Sequence, residues 1–207
     1  MVSSRKNIRS RITALAAAAQ TLRETGGVCA PFSLAFLTDQ TRIPNPEIIA
    51  RAMPAGAAVV LRDYQNRARA AMARRLRTIC TARKAFLIIG ADINLAHTVG
   101  ADGVHLPSWF DAGRAKLDDM IVTASCHTRL ELDRAAQQGA DLAFLSPVFA
   151  TRSHPSAKHL GPDAFKDIAV TSPTPILALG GVDETNASQL AGPNVAGLAA
   201  IGAFSPR

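Results

Sequence analysis

Polar side chains are concentrated in the segment LSPVFATRSHPSAKHLG, residues 145–161, which begins inside an apolar run at 142–148. The polar part carries Thr151, Ser153 and His154 and shows no apolar periodicity, so it is not predicted to be a core-facing helix. Hydroxyl and imidazole groups donate hydrogen bonds to anions. We therefore predict that residues 150–159 form a lid that faces an anionic ligand, with a merely solvated loop as the alternative.

Glycines follow two other apolar runs. Gly180 and Gly181 come after the run at 176–179, and Gly202 comes after the run at 196–201. Glycine turns expose backbone N–H groups, which bind phosphate when several of them point to one place. The two turns therefore predict a phosphate site if they lie side by side, and are otherwise simply tight turns.

His127 is a candidate for proton transfer. It follows the apolar run at 121–125 in the motif SCHT, and a neutral imidazole can accept and return a proton near pH 7. The alternative is that this side chain only orients its neighbours. Cys126 does not predict a nucleophilic pair with it, because adjacent strand residues point to opposite faces. His105, inside the run at 103–106, is predicted to satisfy buried backbone groups.

Eight near-continuous apolar runs position these residues, and each has the length of a strand buried on both faces. Helical patterns lie between most of them. Repeated βα units with eight buried parallel strands predict an α/β fold, a single compact (β/α)₈ TIM barrel. The alternative is an open doubly wound sheet, but no glycine-rich fingerprint follows the first run to support dinucleotide binding. The predicted strands are 33–38, 57–61, 86–89, 103–106, 121–125, 142–148, 176–179 and 196–201, and the predicted helices between them are 68–80, 94–99, 130–138, 162–169 and 185–190.

Three helix-to-strand junctions resemble one another: VGADGVHL, QGADLAFL and AGPNVAGLA. In each, the glycine is predicted to end the helix in the left-handed conformation. The Asp or Asn that follows is predicted to make the turn into the next strand.

Both ends of the chain depart from a regular barrel. Only the pentapeptide AFSPR follows the eighth run, so the last helix is predicted to be truncated or missing. Residues 3–24 have the pattern of an amphipathic helix, which would cover the barrel wall left open. We therefore expect an N-terminal helical extension, 1–24, and a barrel domain, 25–207.

Composition narrows the classes of function. Of the 207 residues 48% are hydrophobic, which is ample for a core, and no run reaches the ~20 apolar residues of a membrane span. Much of the net charge of +7 lies in the N-terminal arm and in the arginine-rich segment 67–84, which is predicted to be a solvated helix face. Few aromatic residues accompany it to stack on bases, so nucleic acid and membranes are not predicted as partners. Three widely spaced cysteines predict free thiols in a reducing cytoplasm.

The order of the motifs resembles that of the thiamine phosphate synthase/TenI family of barrels. The resemblance runs from FLTD at the first strand through VVLRDY, GADGVHLP, ASCHT and SPVFATRSH to LALGGV and AAIGAF. It implies an enzyme of thiamine biosynthesis that binds a thiazole phosphate. The phosphate is expected at Gly180, Gly181, Ile201 and Gly202. The residues expected to position the substrate are Arg62, Ser125, Thr151, Ser153 and His154.

Departures from the family pattern fall on the diphosphate and metal machinery of the synthases. The family reads QLRxK after strand two, and its Gln, Arg and Lys correspond here to Val60, Arg62 and Tyr64, so that only the arginine of these three remains. Magnesium-binding aspartates are expected at positions 90–91 and after strand four, and a lysine that holds diphosphate is expected near His154. Loss of two carboxylates and a cation removes most of the field that stabilises a departing diphosphate. No metal ligand is therefore predicted, although a one-residue slip would bring Asp92 and Asp111 into that role.

With these departures, the resemblance favours a metal-independent enzyme without a cofactor. The first interpretation is a thiazole tautomerase, with His127 as its catalytic acid and base. The alternative is a thiamine phosphate synthase (thiamine-phosphate diphosphorylase), which joins hydroxymethylpyrimidine pyrophosphate to thiazole phosphate and needs magnesium. A further alternative is a non-catalytic barrel that binds thiazole or thiamine phosphates. The predicted partner is a small-molecule phosphate, the expected location is cytoplasmic, and a homo-oligomer is left open.

Overall fold

The computed structural model describes residues 2–110, 117, 119–151 and 158–204, and it contains a closed barrel of eight parallel strands. The strands follow one another around the barrel in sequence order, and the last pairs with the first. The predicted (β/α)₈ barrel is thus confirmed. The strands are β1 (Leu34–Leu37), β2 (Ala58–Leu61), β3 (Phe86–Gly90), β4 (Gly103–Leu106), β5 (Ile121–Cys126), β6 (Leu142–Leu145), β7 (Ile176–Ala178) and β8 (Val195–Ala200).

Side chains alternate along each strand between two buried apolar layers. Leu37 of β1, Val60 of β2 and Phe144 of β6 belong to the cluster inside the barrel. Their neighbours along the strands, such as Phe36 and Leu145, belong to the layer between the barrel and the helices. Both faces of the strands are therefore covered, which explains why the sequence shows continuous apolar runs rather than alternation.

Helices surround the barrel in the part of the chain that is described. Five match predicted helices within a few residues, whereas α2 was not predicted because its sequence, PEIIA, is too short to show a helical period. The predicted helix at 185–190 forms only a 3₁₀ turn. None of the described helices is long and apolar enough to cross a membrane. The helices are α1 (Val2–Gly26), α2 (Pro46–Ala50), α3 (Arg69–Arg83), α4 (Ile93–Val99), α5 (Arg129–Gln137) and α6 (Gly161–Val170), with 3₁₀ turns at Ala187–Leu190 and Gly202–Phe204.

Helix α1 covers the barrel wall beside β8. Where the helix ends, a Cβ at Gly26 would lie 2.0 Å from the carbonyl oxygen of Val195, so only glycine allows this approach. Helix α1 packs against β8, on the side of the barrel where the last helix lies in a regular barrel, and a 3₁₀ turn at Gly202–Phe204 follows β8. The buried apolar residues of α1 recur every three or four positions: Ile12, Leu15, Ala19 and Leu22.

Two of the three helix-to-strand junctions have the predicted left-handed glycine. Gly100 after α4 has φ 62°, and Gly139 after α5 has φ 75°. The aspartate of each junction then accepts a hydrogen bond from a backbone N–H of the preceding strand. Asp102 accepts from Leu87 at 2.6 Å, and Asp141 accepts from Val122 at 2.8 Å.

The third junction differs from the prediction. Gly192 is not left-handed, and Asn194 takes that conformation instead, with φ 65°. The reason is the amide side chain of Asn194, which donates to the carbonyl oxygens of three residues at the end of α6 and beyond it. The acceptors are Ala169 and Ser172, each at 3.0 Å, and Thr174 at 3.3 Å.

Candidate active site

The turn after β7 packs directly against the loop after β6. Gly180 and Gly181 have φ values of 90° and 67°. A Cβ at Gly180 would lie 2.8 Å from the Cα of Pro147, and one at Gly181 would lie 2.7 Å from the carbonyl oxygen of Ala150. The N–H of Phe149 donates to the carbonyl of Gly180 at 2.9 Å. Glycine is therefore required at both positions, by backbone conformation and by the close approach of the loop.

Backbone N–H groups are left available beside this turn. Those of Gly181, Val182 and Gly202, which we call the glycine cradle, have no acceptor among the described residues. The carbonyl of Gly181 accepts from Nδ2 of Asn186 at 2.8 Å, and Oδ1 of Asn186 accepts from the N–H of Asp183 at 2.9 Å. The turn is thus fixed by its own hydrogen bonds, while the cradle can donate to an external anion.

A cavity of about 480 Å³ opens at the glycine cradle, where β7 and β8 end. Its volume is that of a small-ligand site. Its charged lining residues come from three places: Arg11 from α1, Arg42 from the loop after β1, and Asp183 from the loop after β7. The residues predicted from the sequence that line it are Thr151, Gly180, Gly181, Ile201 and Gly202.

Other predicted site residues lie elsewhere at the same end of the barrel. Arg62, Ser125 and His127 are not among the described residues that line this cavity. They follow or end β2 and β5. Ser153 and His154, with the rest of the predicted lid at 152–157, lie outside the described residues.

His127 is exposed and is held by its Nδ1 atom, which donates to the carbonyl oxygen of Ser146 at 2.7 Å. Its backbone N–H donates to Oε2 of Glu131 at 2.5 Å, and Glu131 also forms a capping box with Thr128 at the start of α5. Nε2 of His127 has no partner in the described part of the chain. The ring is therefore oriented through one nitrogen and can exchange a proton through the other.

His105 lies inside the barrel with no exposed surface. The prediction that it satisfies backbone groups is wrong: Nδ1 lies 2.9 Å from Oγ1 of Thr123, and Nε2 lies 2.8 Å from Oγ of Ser125. Thr123 and Ser125 both point inward from β5, opposite His105 on β4. Burial, with a smaller effect of the Arg62 charge, lowers the pKa of His105 to about 3. The imidazole is therefore neutral at physiological pH.

Arg62 and Asp39 lie close together where β2 and β1 end. Nη2 of Arg62 is 3.8 Å from Oδ2 of Asp39, and Nε of Arg42 is 3.1 Å from the same oxygen. Burial acts to raise the pKa of Asp39, but the hydrogen bond from Thr41 and the charges of both arginines outweigh it and lower that pKa. Nε of Arg62 is buried without a hydrogen-bond partner among the described residues. The Arg62 side chain as a whole is 30% exposed, so its guanidinium is a cationic donor within reach of an anion at the end of β2.

The side chain of Arg69 bridges the ends of β2 and β3. The prediction that the arginine-rich segment is a solvated face is wrong for this residue, whose side chain is 11% exposed. Its guanidinium donates to the carbonyl oxygens of Leu61 at 3.2 Å, of Arg62 at 3.1 Å and of Gly90. These carbonyls end their strands, and the arginine supplies the donors that would otherwise come from water.

The described residues do not fit the magnesium site that the synthases imply. Oδ1 of Asp92 caps α4 by accepting from the N–H of Leu95 at 2.8 Å, and Oδ2 pairs with Arg69 at 3.3 Å. A guanidinium on the same carboxylate opposes the binding of a divalent cation. Within the described ranges no group of three or more His, Cys, Asp or Glu is arranged to hold a metal ion, and Asp111 lies outside those ranges.

Cys126 belongs to the layer between the barrel and the helices, on the opposite side of β5 from Ser125. Burial, together with the nearby charge of Glu131, raises the pKa of its thiol to about 12. The thiol is therefore protonated at neutral pH and is not an activated nucleophile.

Sequence reasoning missed Arg11, Arg42 and Asp183 as residues of the cavity. Arg11 was interpreted only as part of an amphipathic helix, because the docking of α1 beside β8 leaves no local pattern in the sequence. Arg42 and Asp183 were not singled out. The one available signal for Asp183 was its position two residues after the predicted glycine turn.

Comparisons with known proteins agree with this architecture. A family model described as thiamine monophosphate synthase (TMP-TENI) matches residues 34–204. The chain is 34% identical over 188 residues to the thiamine-phosphate synthase of Chlorobium limicola, a match that covers 84% of this chain and 86% of that protein. It is 35% identical over 124 residues to a putative thiamine-phosphate synthase 2 of Aquifex aeolicus, covering 58% and 67%. The solved structure of a thiamine phosphate pyrophosphorylase from Pyrococcus furiosus has a TM-score of 0.66 at 24% identity, covering 81% and 84% of the two chains, and shows the shared fold.

Proposed function

Because the chain belongs to the thiamine monophosphate synthase family, we propose that it is a thiamine phosphate synthase. The proposed reaction joins hydroxymethylpyrimidine pyrophosphate to a thiazole phosphate and releases diphosphate. The relatives carry the name of this transferase, and the comparisons do not support the preference for a tautomerase that we drew from the motif departures.

The glycine cradle is the observation that carries the binding of a thiazole phosphate in this proposal. Three N–H groups without an acceptor among the described residues lie at one end of the barrel, beside a cavity large enough for a heterocyclic phosphate. Backbone amides at such a turn match the oxygens of a phosphate group. Thr151, Gly180 and Ile201 line the same cavity, so a phosphate bound there would anchor the thiazole within it.

Arg62 is the proposed partner of the diphosphate. In the reaction the bond from the pyrimidine methylene carbon to the diphosphate oxygen breaks, and a bond from the thiazole nitrogen to that carbon forms. Negative charge develops on the departing oxygen, and a preorganised cation stabilises it. The Arg62 side chain is partly exposed, and its Nε has no acceptor in the described part of the chain, so a small movement of this side chain would let it take that role without breaking a hydrogen bond of Nε.

A thiazole tautomerase is the second candidate, and the geometry of His127 favours it. Its ring is fixed through Nδ1 on the carbonyl of Ser146, the residue is exposed, and Nε2 has no partner in the described part of the chain. Such an imidazole can move a proton between two positions of a bound heterocycle. The poor fit of Asp92 to magnesium also bears on this choice, because tautomerisation requires no departing diphosphate.

One assay separates the candidates. The purified protein is incubated with both precursors and with thiazole phosphate alone, each with and without magnesium, and thiamine phosphate, diphosphate and tautomers are measured. Formation of thiamine phosphate with an equal amount of diphosphate supports the synthase. Tautomer conversion without the pyrimidine precursor, abolished by His127→Ala, would instead establish the tautomerase. Binding without either reaction would contradict both and leave a non-catalytic barrel.

The role of the cradle can be tested with a pair of glycine variants. A Cβ at Gly202 meets no atom within 4 Å, so Gly202→Ala is expected to fold normally but to place a methyl group beside the cradle. We expect its affinity for thiazole phosphate to fall about tenfold, the effect of losing one charge-assisted hydrogen bond. Gly192→Ala is the matched control, because its Cβ would make an ordinary contact, 3.8 Å from Cγ of Lys166, before β8 begins. Equal affinity of both variants in calorimetry would argue against the cradle.

A further inference from the structure

The N-terminal helix reaches the cavity through one of its arginines. Arg11 lines the cavity together with Gly181 and Gly202, and its side chain is only 14% exposed. Nε of Arg11 lies 3.7 Å from Oε1 of Glu184, a residue of the loop after β7. The next residue along the helix, Ile12, is buried in the layer beneath. The packing of α1 therefore fixes where the guanidinium lies.

We infer that Arg11 supplies the cation of the phosphate site, so that helix α1 forms part of the ligand-binding site as well as part of the barrel wall. This inference rests on the proposed function, since it assumes a phosphate ester in the glycine cradle. The cradle itself offers only neutral N–H donors. A phosphate monoester carries nearly two negative charges at pH 7, and a guanidinium matches its oxygens in charge and in shape.

The other charged groups at the cavity are compatible with an anion. Arg42 lines the cavity as a second cation, although it also pairs with Asp39 at 3.1 Å. Asp183 is the one carboxylate in the described lining. Its Oδ1 accepts from both the N–H of Thr185 at 2.9 Å and the hydroxyl of Thr185 at 2.6 Å, so part of its charge is already compensated.

Glu184 orients the guanidinium of Arg11 and does not compete strongly with a phosphate for it. At 3.7 Å the contact is an ion pair without the distance of a hydrogen bond. At this distance the pair lacks the strength of a charge-assisted hydrogen bond, whereas a phosphate in the cavity would offer Arg11 several acceptors. Binding of a phosphate ester would therefore strengthen the attachment of α1 to the loop after β7, and by linkage it would protect the helix against opening.

The inference is tested by comparing a phosphorylated ligand with its neutral parent. Calorimetry measures the binding of thiazole phosphate and of the unphosphorylated thiazole alcohol to the full-length wild type, to Arg11→Gln and to Arg11→Lys. We expect Arg11→Gln to bind thiazole phosphate about tenfold more weakly with no change for the alcohol, and Arg11→Lys to keep most of the affinity. The control is Arg9→Gln, which removes the same charge from an exposed position of the same helix.

Hydrogen exchange of the wild type gives a second measurement that does not depend on a variant folding. Thiazole phosphate, but not the alcohol, is expected to slow amide exchange in α1 around Arg11. The inference is overturned if Arg11→Gln binds thiazole phosphate as the wild type does, or if the phosphate leaves α1 unprotected. If the wild type binds no thiazole phosphate, the proposed function fails as well. If the wild type binds thiazole phosphate and Arg11→Gln binds it equally well, only the role of Arg11 is disproved and the proposed function stands.

Discussion

The buried side chain of His105 determines which of its hydrogen-bond partners, Thr123 and Ser125, donates a proton and which accepts one. The hydroxyl of Thr123 donates to the carbonyl of Val104 at 3.3 Å, so it accepts from the Nδ1–H of His105, and Nε2 then accepts the proton of Ser125. A serine bonded to histidine invites comparison with a nucleophile and its base. A base with a pKa of about 3 cannot activate a hydroxyl near pH 7. Ser125 therefore donates its own proton to His105 and keeps only oxygen lone pairs for further hydrogen bonds.

The depressed pKa of His105 predicts a loss of stability on acidification. Unfolded histidine titrates near 6.5, whereas the folded pKa is about 3, so between these values the unfolded chain binds a proton that the folded protein does not. The stability contributed by the neutral imidazole is complete above pH 6.5 and is lost as the pH falls towards 3. The slope reaches about 1.4 kcal/mol per pH unit. We expect His105→Asn to show a shallower decline of the free energy of unfolding between pH 6.5 and 4.5, measured by urea denaturation.

Carboxylate titration also contributes to the acid slope, but it is common to both proteins and cancels in the comparison. His97→Gln, at an exposed helix position, is the control and should leave the slope unchanged. The explanation would be wrong if wild type and His105→Asn lost stability in parallel over this range.

At the scale of elements, particular side chains fix the conformation of the connections between helices and strands. Asn194 illustrates this, because one side chain ties the end of α6 to the start of β8 through three carbonyl oxygens. Its left-handed φ of 65° is a conformation that asparagine tolerates better than most residues. Local conformation and tertiary hydrogen bonding thus select the same residue.

Substitutions at Asn194 should separate these two contributions. Asn194→Gly keeps the left-handed backbone but removes the amide, and we expect a loss of about 1–2 kcal/mol in the free energy of unfolding. Asn194→Ala adds the strain of a left-handed alanine, a further loss of about 1 kcal/mol. Asn94→Ala, at an exposed position of α4, is expected to change stability by less than about 0.5 kcal/mol. Urea denaturation of the three variants checks the order, and an alanine as stable as the glycine would contradict it.

Elements with a strong local signal could be predicted from the sequence, and contacts between elements could not. Strands such as β3 and β8 can be recognised in the sequence as apolar runs, because both of their faces are buried. Helix α2 has five residues and no measurable period. The contact of His105 with Thr123 depends on the register between β4 and β5, which no local pattern encodes. The glycine turns have a local signal in the sequence and were predicted. The burial of Arg69 depends on its contacts with β2 and β3, so this residue was wrongly predicted to be solvated.

At the scale of the whole molecule, the outside of the barrel at β8 is covered by a helix from the opposite end of the chain. Helix α1 packs against the outer face of β8, and β8 forms its hydrogen-bonded pair with β1 in the barrel wall beneath the helix. A barrel depends on every wall being covered, since an uncovered strand exposes its outer apolar face to water. The first 26 residues are therefore expected to matter for the folding of the whole chain, beyond the contribution of Arg11 to a ligand site.

Leucine substitutions on α1 and α5 test this dependence. Leu15 has no exposed surface, so Leu15→Ala leaves a cavity between α1 and the barrel, and we expect it to lower the free energy of unfolding by about 2–5 kcal/mol. Leu130→Ala makes the same chemical change at a position that is 78% exposed and should cost less than about 0.5 kcal/mol. Urea denaturation followed by circular dichroism measures both. If α1 were only an appendage, Leu15→Ala would fray the helix and leave the barrel transition at its wild-type midpoint. A single transition shifted to lower urea would show that helix and barrel unfold as one unit.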